Sequence, residues 1–277
     1  MNRGLESITD CKVVSVAFNA AELALHSPRA EHALVVYPKP REITTTTLSL
    51  WEELQVLDHI GAFLGANDVD DIDRRYIHTR DSVGMHAAEY YVLKILQGRI
   101  KLYLENELPV GVSSLAGILK PPPAPRVPIT FIPALQTILE RHSTKFDRST
   151  PVHPRRISPK VRSLVDILNN HQKEGLQCIV FVQQRQVATT LAWLLPQLPE
   201  LDWVSANHLI GQLGKDIQSR GIAVAGQKKV VTDFREGKFN ILVASSVAEE
   251  GLDFQSLSLV IRFDRKTKIL SRCFRVI

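Results

Sequence analysis

The sequence predicts an α/β fold, a parallel sheet with helices on both faces, preceded by an α-helical region. Two short apolar runs, Cys178–Val182 and Ile241–Ala244, are typical of parallel strands covered on both sides. Helical patterns alternate with such runs from residue 158 to residue 264, which indicates a parallel sheet linked by right-handed crossovers. Between residues 41 and 145, the clear patterns are helical.

Composition is consistent with a globular protein and argues against a disulfide-rich or zinc-binding one. The chain has 277 residues, enough for one large or two modest domains, and its 44% hydrophobic and 23% charged residues are ordinary for a globular protein. A net charge of +5 permits an anionic partner without demanding one. The three cysteines, Cys11, Cys178 and Cys273, have no paired spacing, so neither a disulfide framework nor a zinc site is predicted.

No targeting or membrane segment is evident in the sequence. No apolar run approaches the ~18 residues that a transmembrane helix needs, and the first residues lack the apolar region of a secretory signal. We therefore expect a cytoplasmic or nuclear protein that is not secreted and has no membrane partner.

Three helices are predicted in the region 41–145. The first follows Thr47 as its N-cap and places apolar residues at helical spacing: Leu50, Trp51, Leu54, Leu57 and Phe63. The second covers Gly84 to Leu96, and the third lies around Ala134 to His142. The acids between the first two helices lack the rest of a calcium loop, so they predict a solvated helix start rather than a metal site: Asp68, Asp70, Asp71 and Asp73.

The α/β part begins with a well-marked helix, in which Ser158 is the N-cap and Pro159 the first residue. The other predicted elements are a helix at Val187–Leu195, a strand at Trp203–Ala206, a loop over 207–225, a helix that begins at Gln227, and a last strand at Ser258–Phe263.

One stretch carries a family resemblance. It reads Ala-Ser-Ser-Val-Ala-Glu-Glu-Gly-Leu-Asp over residues 244–253, with Phe-Arg-Glu-Gly-Lys upstream at 234–238 and Val-Ile-Arg-Phe-Asp downstream at 260–264. A lone Glu-Glu-Gly would fit a polar loop in any α/β protein. The whole run resembles motif V of the superfamily 2 helicases, in the form that the Dicer-like branch carries.

The resemblance implies roles for particular residues. Ser245, where the family usually has Thr, would touch the RNA backbone, while Gly251 and Asp253 would bind the nucleotide. The segment after Val182 is similar to motif IV, which implies that Gln183 and Arg185 approach RNA phosphates; a polar cap on a strand-to-helix turn is the alternative. Gln227 matches a glutamine common in the family and would contact the RNA side.

The resemblance also implies a domain plan. Residues 1–40 would be the link from an absent first RecA-like domain, 41–145 a helical insertion that grips duplex RNA in the family, 146–160 a linker, and 161–277 a truncated second RecA-like domain. The expected chain is thus incomplete at both ends. Four basic residues in and just after the linker either touch phosphate or, more commonly for such residues, are solvated: Arg155, Arg156, Lys160 and Arg162.

The parts of the family's ATPase that are absent from the sequence limit the expected chemistry. There is no phosphate loop of the Gly-Lys-Thr type, no acidic pair of the Asp-Glu-Cys-His type, and no Gln-x-x-Gly-Arg-x-Arg motif. We therefore assign no catalytic or metal-binding residue. ATP and Mg would bind only together with the missing first RecA-like domain, and the chain alone would have no cofactor.

Three functions remain open from the sequence. The first is part of a Dicer-like ATP-dependent RNA helicase in RNA silencing, with double-stranded RNA and the remainder of the enzyme as partners. The second is a non-catalytic RNA-binding or regulatory module, or a decayed gene fragment. The third is an unrelated nucleotide-sugar or dinucleotide α/β enzyme, which the lack of a Gly-rich turn after Val182 argues against.

Overall fold

A six-stranded sheet is the centre of the structure. The structure is a computed structural model that describes residues 33–37, 48–107, 127–147, 149–210, 217–245, 257–264 and 273–276. The strand order is β1-β6-β5-β2-β4-β3. The strands are β1 (Ala33–Val36), β2 (Cys178–Val182), β3 (Ala206–Leu209), β4 (Ile241–Ser245), β5 (Leu259–Arg262) and β6 (Cys273–Val276). The helices are α1 (Leu50–Gln55), α2 (Ile60–Leu64), α3 (Ala66–Ser82), α4 (Met85–Glu107), α5 (Phe131–Ser143), α6 (Pro159–Asn170), α7 (Arg185–Leu194) and α8 (Ile217–Arg235).

The four adjacent strands β5, β2, β4 and β3 are parallel, as predicted. β2 lies between β5 and β4, and β3 pairs with the other side of β4. β6 and β1 extend the sheet beyond β5 with antiparallel pairing. The strand β1 was not foreseen, because its four residues lie in the segment interpreted as a link.

Helices cover both faces of the parallel strands, which confirms the predicted fold class. Successive residues of a strand point to opposite faces. Val180 and its neighbours on one face pack against α6 and α7, for example against Leu164 and Leu191. Ile179 and Leu242 on the other face pack against Phe234 of α8.

The helices α1 to α5 share a separate apolar core. Its fully buried members include Leu50, Leu54 and Leu96. Trp51 is also buried, and its indole N–H donates to Asp73 Oδ1 over 2.7 Å. Asp68 of α3 likewise pairs with Arg99 of α4. These two acids of α3 therefore contact other helices of the helical region. No group of three or more His, Cys, Asp or Glu side chains in the described ranges could hold a metal ion.

Several predicted boundaries were wrong, and three of them have a clear cause or consequence. The first helix is capped by Ser49 rather than Thr47, because the Ser49 hydroxyl accepts from the N–H of Glu52 and the Glu52 carboxylate accepts from the N–H of Ser49. The third parallel strand starts at Ala206, where the prediction ended it. The helix α8 starts at Ile217, inside the predicted loop, so that Gln227 lies in its middle.

The helical region packs directly on the sheet domain. The Ser158 N–H donates to the Val83 carbonyl over 2.9 Å, and its hydroxyl donates to the Ser82 carbonyl over 2.7 Å. Tyr90 of α4 stacks on Trp193 of α7, with ring centroids 3.5 Å apart and planes 6° from parallel. The two parts are therefore joined by backbone, side-chain and aromatic contacts. Among the described helices, none has the length and apolar character needed to cross a membrane.

Candidate nucleic-acid interface

The carboxyl ends of the parallel strands meet at one edge of the sheet, the place where open α/β sheets bind ligands. Val182, the last residue of β2, is paired in register with Ser245, the last residue of β4. Leu209, the last residue of β3, is paired with Ala244. The segments that follow these strands therefore begin side by side. We call this edge, with residues 183–185, 210, 227, 245 and 264, the carboxyl edge.

Gln183 and Arg185 lie on this edge, between β2 and α7. Gln183 is exposed and Arg185, the first residue of α7, is half-buried. Gln184 at the N-cap position makes no side-chain hydrogen bond to the helix. The first N–H groups of α7 thus lie at the edge without a side-chain cap, an arrangement that suits an anion.

Gln227 reaches the same edge from α8. Its side-chain amide donates to the carbonyl of Ile210, the residue that follows β3. This hydrogen bond spans 17 residues of sequence and fixes the middle of α8 beside the end of β3. Gln227 is half-buried, so part of its side chain faces solvent.

Ser245 lies at the edge but has 0% of its surface exposed. Contact between its hydroxyl and a ligand would therefore need a local rearrangement. Gly251 and Asp253, the residues expected to bind the nucleotide, lie outside the described residues. No step that involves ATP or Mg follows from the part of the chain that the structure describes.

Asp264 is a residue of this edge that sequence reasoning missed. It follows β5, and one of its carboxylate oxygens accepts from the main-chain N–H of Gln183 over 2.9 Å. The other accepts from the ammonium group of Lys160 over 2.5 Å. The side chains of Lys160 and Asp264 are only 8% and 11% exposed. In the sequence, Asp264 is the last residue of the run 260–264. That run supported the family resemblance but indicated no role for Asp264 itself.

Two of the basic residues predicted in and next to the linker form ion pairs within the protein. Lys160 pairs with Asp264, and its ammonium group lies 4.0 Å from the ring centroid of Phe263. Arg156 pairs with Glu89, a carboxylate only 2% exposed. Arg162 donates to the Pro154 carbonyl. Lys160 and Arg156 are thus held by charge pairing, whereas Arg155 and Arg162 are exposed to solvent.

Comparisons with known proteins show what this chain is similar to. Residues 159–273 match the family model described as the helicase conserved C-terminal domain. Over these residues the chain is similar to helicase C-terminal domains. Its relatives include Dicer-like protein 1 of Aspergillus clavatus, 37% identical over 49% of this chain, and Dicer-like protein 2 of Neurospora crassa, 24% identical over 96% of it. The predicted resemblance to Dicer-like proteins is confirmed.

The chain spans only a small part of the length of each relative. The chain covers 9% of the Aspergillus clavatus protein and 18% of the Neurospora crassa protein. Among solved structures, the Pyrococcus furiosus Hef helicase domain is similar over 77% of this chain and 38% of its own, with 19% identity and a TM-score of 0.36.

Proposed function

We propose that this chain is the duplex-RNA-handling part of a Dicer-like ATP-dependent RNA helicase that acts in RNA silencing. One observation carries the proposal: three segments that are far apart in the sequence bring to the carboxyl edge four residues whose side-chain groups can bind a nucleic-acid backbone. They are Gln183, Arg185, Gln227 and Ser245. The partners would be double-stranded RNA and the remainder of a Dicer-like enzyme.

The groups on the carboxyl edge suit phosphate better than base recognition. Proteins contact nucleic-acid phosphates with arginine, amide and hydroxyl side chains, main-chain N–H groups and helix N-termini. The edge offers the guanidinium of Arg185, the amide of Gln183 and the start of α7 within a few residues. Because phosphates carry no sequence information, we expect binding that depends on salt and depends little on sequence.

ATP would act only in a larger assembly. The sequence holds no phosphate loop, so we propose that ATP and Mg bind when a first RecA-like domain supplies one, with Gly251 and Asp253 facing the nucleotide. The chain by itself would bind RNA without hydrolysing ATP. A non-catalytic RNA-binding module would use the same edge.

Binding to a short RNA duplex tests the proposal, measured by fluorescence anisotropy over a range of salt concentrations. Arg185→Ala should weaken binding by about fivefold near 0.1 M salt, because one charge-assisted contact is lost. It should also lower the slope of log affinity against log salt by about one. Gln183→Ala should weaken binding with little change in that slope.

A matched control lies at the opposite edge of the sheet. Lys173 is an exposed cation between α6 and β2, so Lys173→Ala removes the same charge far from the proposed site. It should leave affinity within about twofold of the unaltered protein. Equal losses from Arg185→Ala and Lys173→Ala would contradict the proposed interface, and negligible binding at low salt would contradict RNA binding itself.

A further inference from the structure

Asp264 makes a contact that the pairing of the strands does not supply. The backbone ladder between β5 and β2 continues to the N–H of Phe263, which donates to the Phe181 carbonyl over 2.9 Å. The next donor along β2 is the N–H of Gln183, and it meets the side chain of Asp264. The carboxylate thus adds one hydrogen bond to the pairing after the backbone ladder has ended.

The position of that carboxylate is itself fixed. Lys160, in the first turn of α6, donates to its second oxygen and also lies over the ring of Phe263. A carboxylate with two acceptor oxygens satisfies both donors at once. An asparagine in the same place would offer one acceptor and turn its NH₂ group toward a donor. The pair is nearly buried, so each charge depends on the other.

The hydrogen bond acts where the candidate RNA contacts begin. Gln183 is two residues before Arg185, and the main chain between them sets the direction of both side chains and of the first N–H groups of α7. Ordinary strand pairing ends at Val182. Without the Asp264 contact, the first residue of this segment would lose its anchor to β5.

We infer that Asp264 is a positioning residue for RNA binding: its carboxylate holds the main chain at Gln183 so that Gln183, Arg185 and the start of α7 meet the RNA backbone together. The inference rests on the proposed function. Asp264 touches no RNA in this scheme, and its negative charge would repel phosphate. The hydrogen bond that Asp264 makes should therefore raise RNA affinity, whereas its negative charge by itself would lower RNA affinity.

Two double variants separate the hydrogen bond from the ion pair. Both replace Lys160 with Met, so neither keeps the ion pair and both have the net charge of the unaltered protein. K160M/D264N keeps an oxygen that can accept from Gln183, whereas K160M/D264L has a side chain of similar size without an acceptor. RNA affinity is measured by anisotropy well below the melting temperature of each protein. Exchange of the Gln183 amide hydrogen is followed by NMR.

The expected result is a difference between the two variants. K160M/D264N should bind duplex RNA within about twofold of the unaltered protein, with a protected Gln183 amide. K160M/D264L should bind about three- to tenfold more weakly, with a fast-exchanging amide. If K160M/D264L does not fold, K160M/D264A replaces it in the same comparison.

Single-charge variants provide a second readout. Asp264→Asn and Glu236→Gln each raise the net charge by one, and Glu236 lies in the turn before β4, far from the carboxyl edge. Only Asp264→Asn should weaken binding. Equal affinity of K160M/D264N and K160M/D264L would overturn the inference alone. Failure of the unaltered protein to bind RNA would overturn the proposed function and the inference with it.

Discussion

At the scale of single residues, His86 makes stability depend on pH. It is buried in α4 between Trp193 and Phe146, and no hydrogen-bond partner is present for its Nε2 atom. Burial, with smaller contributions from Arg156 and Lys145, lowers the pKa of His86 to about 4. The unfolded chain binds a proton near pH 6.5. The folded state therefore loses stability as the pH falls from about 6.5 toward 4, by up to about 3 kcal/mol from this group.

Denaturant unfolding at several pH values from 4.5 to 7.5 checks this prediction. His86→Phe keeps an aromatic ring between Trp193 and Phe146 but cannot take a proton, so it should flatten the pH dependence in this range. Asp and Glu residues change little above pH 5.5, and comparison above that value isolates the histidine. An unchanged slope in His86→Phe would show that another group is responsible.

Residues that meet across long stretches of sequence are the ones that sequence reasoning missed. Gln183, Arg185, Gln227 and Ser245 were named because a family motif or a strand end pointed to them. Lys160 and Asp264 are 104 residues apart, and nothing in either local sequence indicates that they pair. Their pairing depends on α6 and β5 meeting at the same edge. That arrangement is a property of the folded chain.

At the scale of elements, the turn between α3 and α4 depends on one glycine. Gly84 has φ +128°, and a Cβ atom there would lie 2.4 Å from the Arg156 carbonyl and 2.8 Å from the Ser158 nitrogen. Gly84→Ala should therefore destabilise the fold by about 2–4 kcal/mol, since both backbone strain and a backbone clash result. Gly98 in α4 is the matched control.

Gly98 has nothing within 4 Å of the position that its Cβ would take. Gly98→Ala should stabilise the fold by about 0.5–1 kcal/mol, because alanine loses less backbone entropy in a helix. Urea unfolding of both variants measures the difference. A stable Gly84→Ala variant would mean that the helical region does not sit against residues 156–158 as described.

The predicted elements were accurate where an element's own residues decide its structure. β2 was predicted to the residue, because Cys178–Val182 is apolar and contains β-branched side chains. β3 was misplaced, since Asn207 and His208 are polar and become a strand by pairing with β4. The second predicted helix ended at Leu96, whereas α4 continues through Gly98 to Glu107. Pairing and packing between elements supplied what local patterns could not.

At the scale of the whole molecule, the size of the natural product is open to direct measurement. The chain has a mass of 31.1 kDa, and it covers 18% or less of the two Dicer-like relatives described above. An immunoblot of source cells with an antibody to residues 158–264 should show a band several times larger, in the cytoplasmic or nuclear fraction. A band near 31.1 kDa would favour a separate RNA-binding module instead.

The two antiparallel strands have a consequence for dissecting the protein. β1 and β6 are neighbours in the sheet although about 240 residues of chain separate them, and the whole helical region lies between β1 and β2. The sheet domain is therefore discontinuous in sequence, and the helical region is tethered to it at both ends. A fragment that starts at residue 159, where the family match begins, would lack β1. Its β6 would then be an exposed edge strand, which can pair with another copy of the fragment.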